Sequence, residues 1–304
     1  MQIFSYQSFD EFLKDLLIGG RIYTLLNENK LIFRGQSSLD YKLIPSLLRE
    51  DGFKKIWNLA DLKHEGIQSE FALISGEIQA LSYFFKKCDE NGLYIPNVEE
   101  FSNNYFEKIK LNLLLKQSKW LSTELYELSG LAQHYGIPTR LLDWSTEIFT
   151  ALYFATIGAL KGNFLKDDKL VIYMLNTTYI NSFNTPLKLI KPLYYGNPNL
   201  SAQKGVFTLW EITKEAIKTG NDEISRNHNI KILNTISDST PLDILIENSF
   251  PSLNILYKIE IPHSESKSIY KYLNILNVNS SKLFPGYAGI VKNMEEDIFL
   301  FNSK

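Results

Sequence analysis

Apolar residues recur along the chain with two spacings, and the alternation between them outlines the elements. Between Phe9 and Leu26 the positions Phe12, Leu13, Leu16 and Leu17 fall on one side of a helix. Lys30-Leu31-Ile32-Phe33 then makes a short strand that runs into Arg34-Gly35-Gln36, and Pro45-Ser46 marks a helix entry. From Glu65 to Lys87, apolar residues (Ile67, Phe71, Ile74, Ile78, Leu81, Phe84) return every three or four positions, the pattern of a long amphipathic helix. Two more helical patterns cover Val98 to Gln117 and Trp120 to Gln133. Thr146 to Lys161 predicts a further helix, with Ala151 and Ala155 offering a smooth face and Gly158 and Gly162 ending it.

The second half reads differently. Lys169 to Leu175 is continuous enough in apolar residues to be a central strand. Residues 176–200, rich in Asn, Pro, Thr and Tyr, predict a long loop with one short helix. Gln203 to Trp210 predicts a glycine-containing strand, 211–249 helical or irregular structure, Asn254 to Ile261 a strand, and Lys267 to Asn277 a helix. Leu283-Phe284-Pro285-Gly286 is a turn, after which Tyr287–Val291 and Ile298–Phe301 read as short closing strands. The order predicts an α+β fold: a mixed or antiparallel sheet with a helical insert in the N-terminal half. It further predicts a single domain over 1–304, helix-rich in 1–165 and strand-rich in 166–304.

Composition adds three constraints. With 44% hydrophobic and 22% charged residues the chain is ordinarily globular, and a net charge of −2 supplies no overall attraction to nucleic acid. The single cysteine, Cys88, excludes an internal disulfide and fits a reducing compartment. No Cys/His spacing suggests a metal, the first residues lack the order of a signal peptide, and no apolar run is long enough to span a bilayer. A cytoplasmic protein with no metal and no membrane partner is the expectation.

The chemistry concentrates in Gln133-His134-Tyr135-Gly136-Ile137-Pro138-Thr139-Arg140-Leu141-Leu142-Asp143-Trp144-Ser145. Gly136 and Pro138 force a turn between two helical patterns, so a His, two kinds of charge and several hydroxyls are gathered in one bend. Such groups either cap the flanking helices or form a site. Asp143, Ser145 and Thr146 each have the oxygen needed to cap the following helix. Upstream, Arg34 leaves a strand just before a glycine, where its fork of donors can reach phosphate or carboxylate, or else hold a structural ion pair.

Phe33-Arg34-Gly35-Gln36, Ile44-Pro45-Ser46-Leu47 and the block from His134 through Trp144 to Ala151-Leu152-Tyr153-Phe154-Ala155 closely resemble the FRG domain, a bacterial and phage family. Gln203-Lys204-Gly205-Val206-Phe207-Thr208 and Leu283-Phe284-Pro285-Gly286 resemble later motifs of that family, so the resemblance spans about residues 28–290. Ser145-Thr146-Glu147-Ile148 departs from the Thr and Asn-Pro common there.

A looser resemblance, to ADP-ribosyltransferases of the Arg-Ser-Glu class, implies an ADP-ribosyltransferase-like fold and NAD as substrate. It matches Arg34-Gly35 to the strand that holds NAD phosphates. Pro138-Thr139-Arg140 with the Ala151–Ala155 helix matches the second motif, and Gln203 falls near the strand of the catalytic carboxylate. On this resemblance Arg34, Gly35, Gln36, Tyr135 and Thr139 contact the nucleotide, while Arg34, His134, Arg140, Asp143 and Gln203 surround the reacting centre. Arg34 and Arg140 hold the pyrophosphate, and His134 or Tyr135 binds the nicotinamide amide or ribose. Gln203 is neutral, so the carboxylate falls to Asp143, Glu70 or Glu211. The implied function is ADP-ribosyl transfer or NAD hydrolysis, in phage defence or as a toxin, with a protein or nucleic acid as acceptor. A noncatalytic binding module, or a nucleic-acid-processing enzyme, accounts for the same residues. So does a buried ionic network in which Arg34 and Arg140 pair with carboxylates.

Overall fold

The computed structural model describes residues 1–59, 70–101, 104–115, 119–162, 164, 168–178, 180, 186–212, 240–251 and 253–301. β1 (Gln2–Ser5) is followed by α1 (Phe9–Asp15) and α2 (Arg21–Glu28), then β2 (Leu31–Gln36). The helical insert comprises α3 (Glu50–Leu59), α4 (Glu70–Glu90), α5 (Tyr105–Leu114) and α6 (Tyr126–His134). β3 (Leu142–Ser145), α7 (Ile148–Lys161), β4 (Lys169–Asn176), β5 (Leu187–Ile190), α8 (Pro198–Ala202) and β6 (Gly205–Trp210) follow. The chain continues through α9 (Leu242–Ser249), β7 (Leu256–Pro262), α10 (Ser266–Ile275), α11 (Ser280–Leu283) and α12 (Tyr287–Phe301).

The seven strands form one sheet in the order β1-β7-β4-β2-β3-β6-β5. β1 runs parallel to β7 and every other pairing is antiparallel, so the sheet is mixed and the fold is α+β. The central position expected of Lys169–Leu175 follows from its burial on both faces. Leu170, Ile172 and Met174 join the cluster under α7 and α10, while Val171, Tyr173 and Leu175 join the one on the other face. A third cluster packs α4 and α6 against Leu141, Phe207 and Leu209.

Several expectations are corrected. Residues 287–301 are one helix, not two strands. Val291, Met294 and Ile298 recur at helical spacing, and a short apolar run such as Tyr287–Val291 does not by itself distinguish strand from helix. The predicted helix over 9–26 is two helices, broken where Gly19 takes a φ of +88°. The loop predicted over 176–200 contains β5, and residues 166–304, expected to be strand-rich, hold helices α8–α12 among and after strands β4–β7. The stretches 60–69 and 213–239, which hold the start of the predicted 65–87 helix and most of the 211–249 segment, lie outside the described residues.

One junction in the sheet is unlike the others. β2 pairs with β4 over six residues, and β3 pairs with β6 over four, yet β2 and β3 meet only at Phe33 and Ser145. Beyond that pair the two strands part. Gly35 sits on the parting segment of β2 with α7 pressed against it: a Cβ built there would overlap the carbonyl oxygen of Ala151. The helix can lie this close only over a glycine.

Candidate functional site

The parted strands open a cleft of about 390 Å³ between β2, β3, α6, α7 and the start of β6. Phe33, Phe154, Phe207, Phe284, Leu200 and Ala151 supply apolar walls, and Arg34, Gln133, His134, Asp143, Ser145 and Gln203 supply the polar groups. An apolar cavity of a few hundred Å³ with a few convergent polar groups has the proportions of a small-molecule site.

Arg34 spans the gap. Its Nη1 donates to the backbone carbonyl of Asp143 at 2.8 Å and lies 3.7 Å from the same residue's Oδ2. Where the strands would have exchanged a ladder hydrogen bond, the guanidinium takes its place. Its side chain is 16% exposed, and its buried Nε has no hydrogen-bond partner among the described residues. Burial pushes the guanidinium pKa down, against the pull of Asp143, and the positive charge of Arg49 pushes the same way as burial. Tyr173, the cross-strand neighbour of Arg34 on β4, gives no counter-charge: burial holds its phenol up at about 12.

The bend after α6 orients the acid. Gly136, with φ at +88°, lets the amides of Gly136 and Ile137 return to Gln133 and Ala132 and closes the helix. Thr139 then donates from Oγ1 to Oε1 of Gln133, which in turn donates from Nε2 to Oδ1 of Asp143 at 2.5 Å. Asp143 is a strand residue, 61% exposed, and does not cap the following helix as expected. Glu147 occupies the cap position of α7, and it is Ser145 whose Oγ accepts from the Glu147 amide. Ser145 Oγ also donates to the backbone carbonyl of Gln203 at 2.7 Å, fixing the approach to β6.

His134 stands at the C-terminal end of α6 with Nε2 2.6 Å from the side-chain nitrogen of Asn199. With the Asn199 amide as donor, that ring nitrogen carries no proton. Burial lowers the imidazole pKa, opposed by the charge of Asp143, so the ring is neutral near pH 7. Gln203 lines the cleft, but its Nε2 donates to the Leu283 carbonyl at 3.1 Å.

Of the residues selected from sequence, Arg34, Gly35, His134, Asp143 and Gln203 meet in this cleft. Thr139 supports it from behind through Gln133, Tyr135 is exposed beside His134, and Gln36 lines a neighbouring cleft. Arg140 is not brought to the cleft. Its Nε and Nη2 lie 2.6 and 2.5 Å from Oε2 of Glu77 on α4, and both side chains are almost wholly buried, 2% and 4% exposed. Trp120 donates its indole N–H to the same carboxylate at 2.8 Å. Glu211 is tied to Lys119 at 2.5 Å away from the cleft, and the side chain of Glu70 lies outside the described residues. Asp143 is the sole carboxylate among the described lining residues. The sequence reading missed Gln133 as a partner of Asp143, and the aromatic walls, whose side chains look like any core positions in a linear pattern.

Among the described residues no cluster of His, Cys, Asp and Glu has metal-binding geometry, and no helix is long and apolar enough to cross a membrane. Residues 29–163 match the family model of the FRG domain, so the chain carries an FRG domain from β2 through α7. No curated protein and no solved structure matches the chain.

Proposed function

We propose that the cleft between β2 and β3 binds an NAD-type dinucleotide and that the chain is an NAD-using enzyme, releasing or transferring ADP-ribose. The observation that carries this reading is Arg34: a guanidinium held at the opening of the sheet, with a buried donor unused, beside a cleft walled by aromatic rings. Phosphate suits the donor fork and a planar ring suits the walls. The sheet order also favours it. The strand of Arg34, the strand ending in Ser145 and the strand that follows Gln203 are consecutive neighbours. The looser resemblance to ADP-ribosyltransferases joins the same three motifs in one site.

In this reading the bond between C1′ of the ribose and the nicotinamide nitrogen breaks, and its electron pair leaves with nicotinamide. The oxocarbenium-like ribose is stabilised by a carboxylate, for which Asp143, oriented by Gln133, is the candidate. Water or an acceptor hydroxyl adds at C1′ and loses its proton. A noncatalytic nucleotide-binding module is the second reading, favoured by the neutral, already bonded Gln203 at the position where the resemblance requires an acid. Thermal melting with NAD and assay of free nicotinamide separate the two. The enzyme reading expects a raised melting temperature, nicotinamide release, loss of both in Arg34→Ala, and loss of release alone in Asp143→Asn. A melting shift with no release from the wild type supports the binding module. No shift and no release end both.

A further inference from the structure

A second cleft, of about 490 Å³, adjoins the first and shares Arg34, Gly35 and Phe154 with it. Its charge is one-sided: among the described lining residues, Arg34, Lys42 and Arg49 face a single carboxylate, Asp40. Arg49 uses Nε to hold the Ile44 carbonyl at 2.9 Å, and the rest of its fork has no ion pair among the described residues. Arg34 and Arg49 line the same cleft, and the charge of Arg49 disfavours that of Arg34, a repulsion that an anion between them relieves. A further group points to the ligand. Gln36, only 6% exposed, donates from Nε2 to the Lys42 carbonyl at 3.3 Å, while its buried Oε1 has no hydrogen-bond partner among the described residues. Tyr41 stands exposed on the rim.

We propose that this second cleft is a nucleoside-phosphate subsite, in which Arg34 and Arg49 clasp the phosphate and Gln36 accepts from a sugar hydroxyl or base amine. The inference extends the dinucleotide reading, because two clefts meeting at one arginine match a ligand whose two nucleosides flank a pyrophosphate. The same chemistry also suits a separate mononucleotide, and the experiment distinguishes the two.

The test is calorimetric titration of the intact chain with AMP and with adenosine. AMP is expected to bind at least tenfold more tightly than adenosine, since charge-assisted hydrogen bonds to phosphate dominate. Arg49→Gln, at an exposed position, is expected to weaken AMP by about tenfold or more, and Gln36→Leu to weaken both AMP and adenosine, with the far-UV circular dichroism of both variants unchanged. If AMP raises the apparent Kd of NAD in proportion to its own occupancy, the subsite holds one half of the dinucleotide. If NAD affinity is unaffected, the subsite takes a separate nucleotide. Absence of AMP binding, or affinity unchanged in both variants, overturns the proposal. AMP binding that depends on Arg49 without any NAD binding leaves the subsite standing and removes the dinucleotide reading. NAD binding lost in Arg34→Ala, with no AMP binding, does the reverse.

Discussion

Arg34 and Arg140 look alike in sequence, each in a short motif beside a strand, and the fold puts them to opposite uses. Arg140 is enclosed with Glu77 and Trp120 between the helical insert and the sheet, its charge matched by a carboxylate at 2.5 Å. Arg34 stands where two strands separate, bonded to a backbone carbonyl, 3.7 Å from an exposed carboxylate and with a donor left over. The difference lies in the partner. A buried charge must be fully compensated to be tolerated, so its loss is a matter of stability. A half-compensated charge at a cleft retains capacity for a ligand.

The largest expected effect tests the enclosed pair. Glu77→Ala removes the carboxylate that lies 2.5 Å from a buried guanidinium and is expected to cost about 3–5 kcal/mol in urea unfolding. If stability falls by less than half of that, the two arginines are more alike than their surroundings indicate. Gly35→Ala comes next. The overlap with the Ala151 carbonyl requires α7 to move and is expected to cost about 1–3 kcal/mol, together with a loss of NAD-induced stabilisation because the opening between the strands changes shape. Arg34→Ala removes one hydrogen bond to Asp143, so a loss of only about 1 kcal/mol in unfolding free energy is expected, while the melting shift with NAD disappears. A loss comparable to that of Glu77→Ala would make Arg34 a structural residue.

The smallest effect concerns pH. The folded protein holds the His134 pKa below the ordinary imidazole value, chiefly by burial. Between the folded and unfolded values the unfolded chain therefore binds more protons, and stability rises with pH across that window. Acidification from neutrality is expected to destabilise the wild type more than His134→Gln, measured as unfolding free energy against pH. Equal slopes would mean that the histidine ring is not desolvated in the folded state.

Much of this was legible in the chain, for identifiable reasons. Strand β4 declares itself as a continuous apolar run buried on both faces, and helix α7 as an apolar segment that ends at a glycine. The turn at Gly136 and Pro138 follows from backbone chemistry, and the Arg34-Gly35 pair already points to a strand leaving for a cleft. The choice between the two arginines was not legible, because it depends on Glu77, 63 positions from Arg140 and on the apolar side of α4. A carboxylate among Ile74, Ile78 and Leu81 was the one available signal, since burial there demands a cation. The capping role read for Asp143 failed because Asp143 lies inside β3 and the strand runs on through Ser145 before α7 begins at Ile148, a distinction of local geometry that a hydroxyl-rich segment does not encode.

The single meeting point of β2 and β3 also separates the segment that the family model matches from the segment that shapes the cleft. The matched segment, 29–163, contains both strands that part, but neither strand that holds them apart. β4 aligns one side from residues 171–176, and β6 aligns the other from 205–208. A fragment limited to that segment would keep Arg34, His134 and Asp143 yet present two bare strand edges, free to pair with each other or with another molecule. The matched segment supplies Arg34, His134 and Asp143, and the remainder of the chain supplies the strands that set the two sides of the cleft in register.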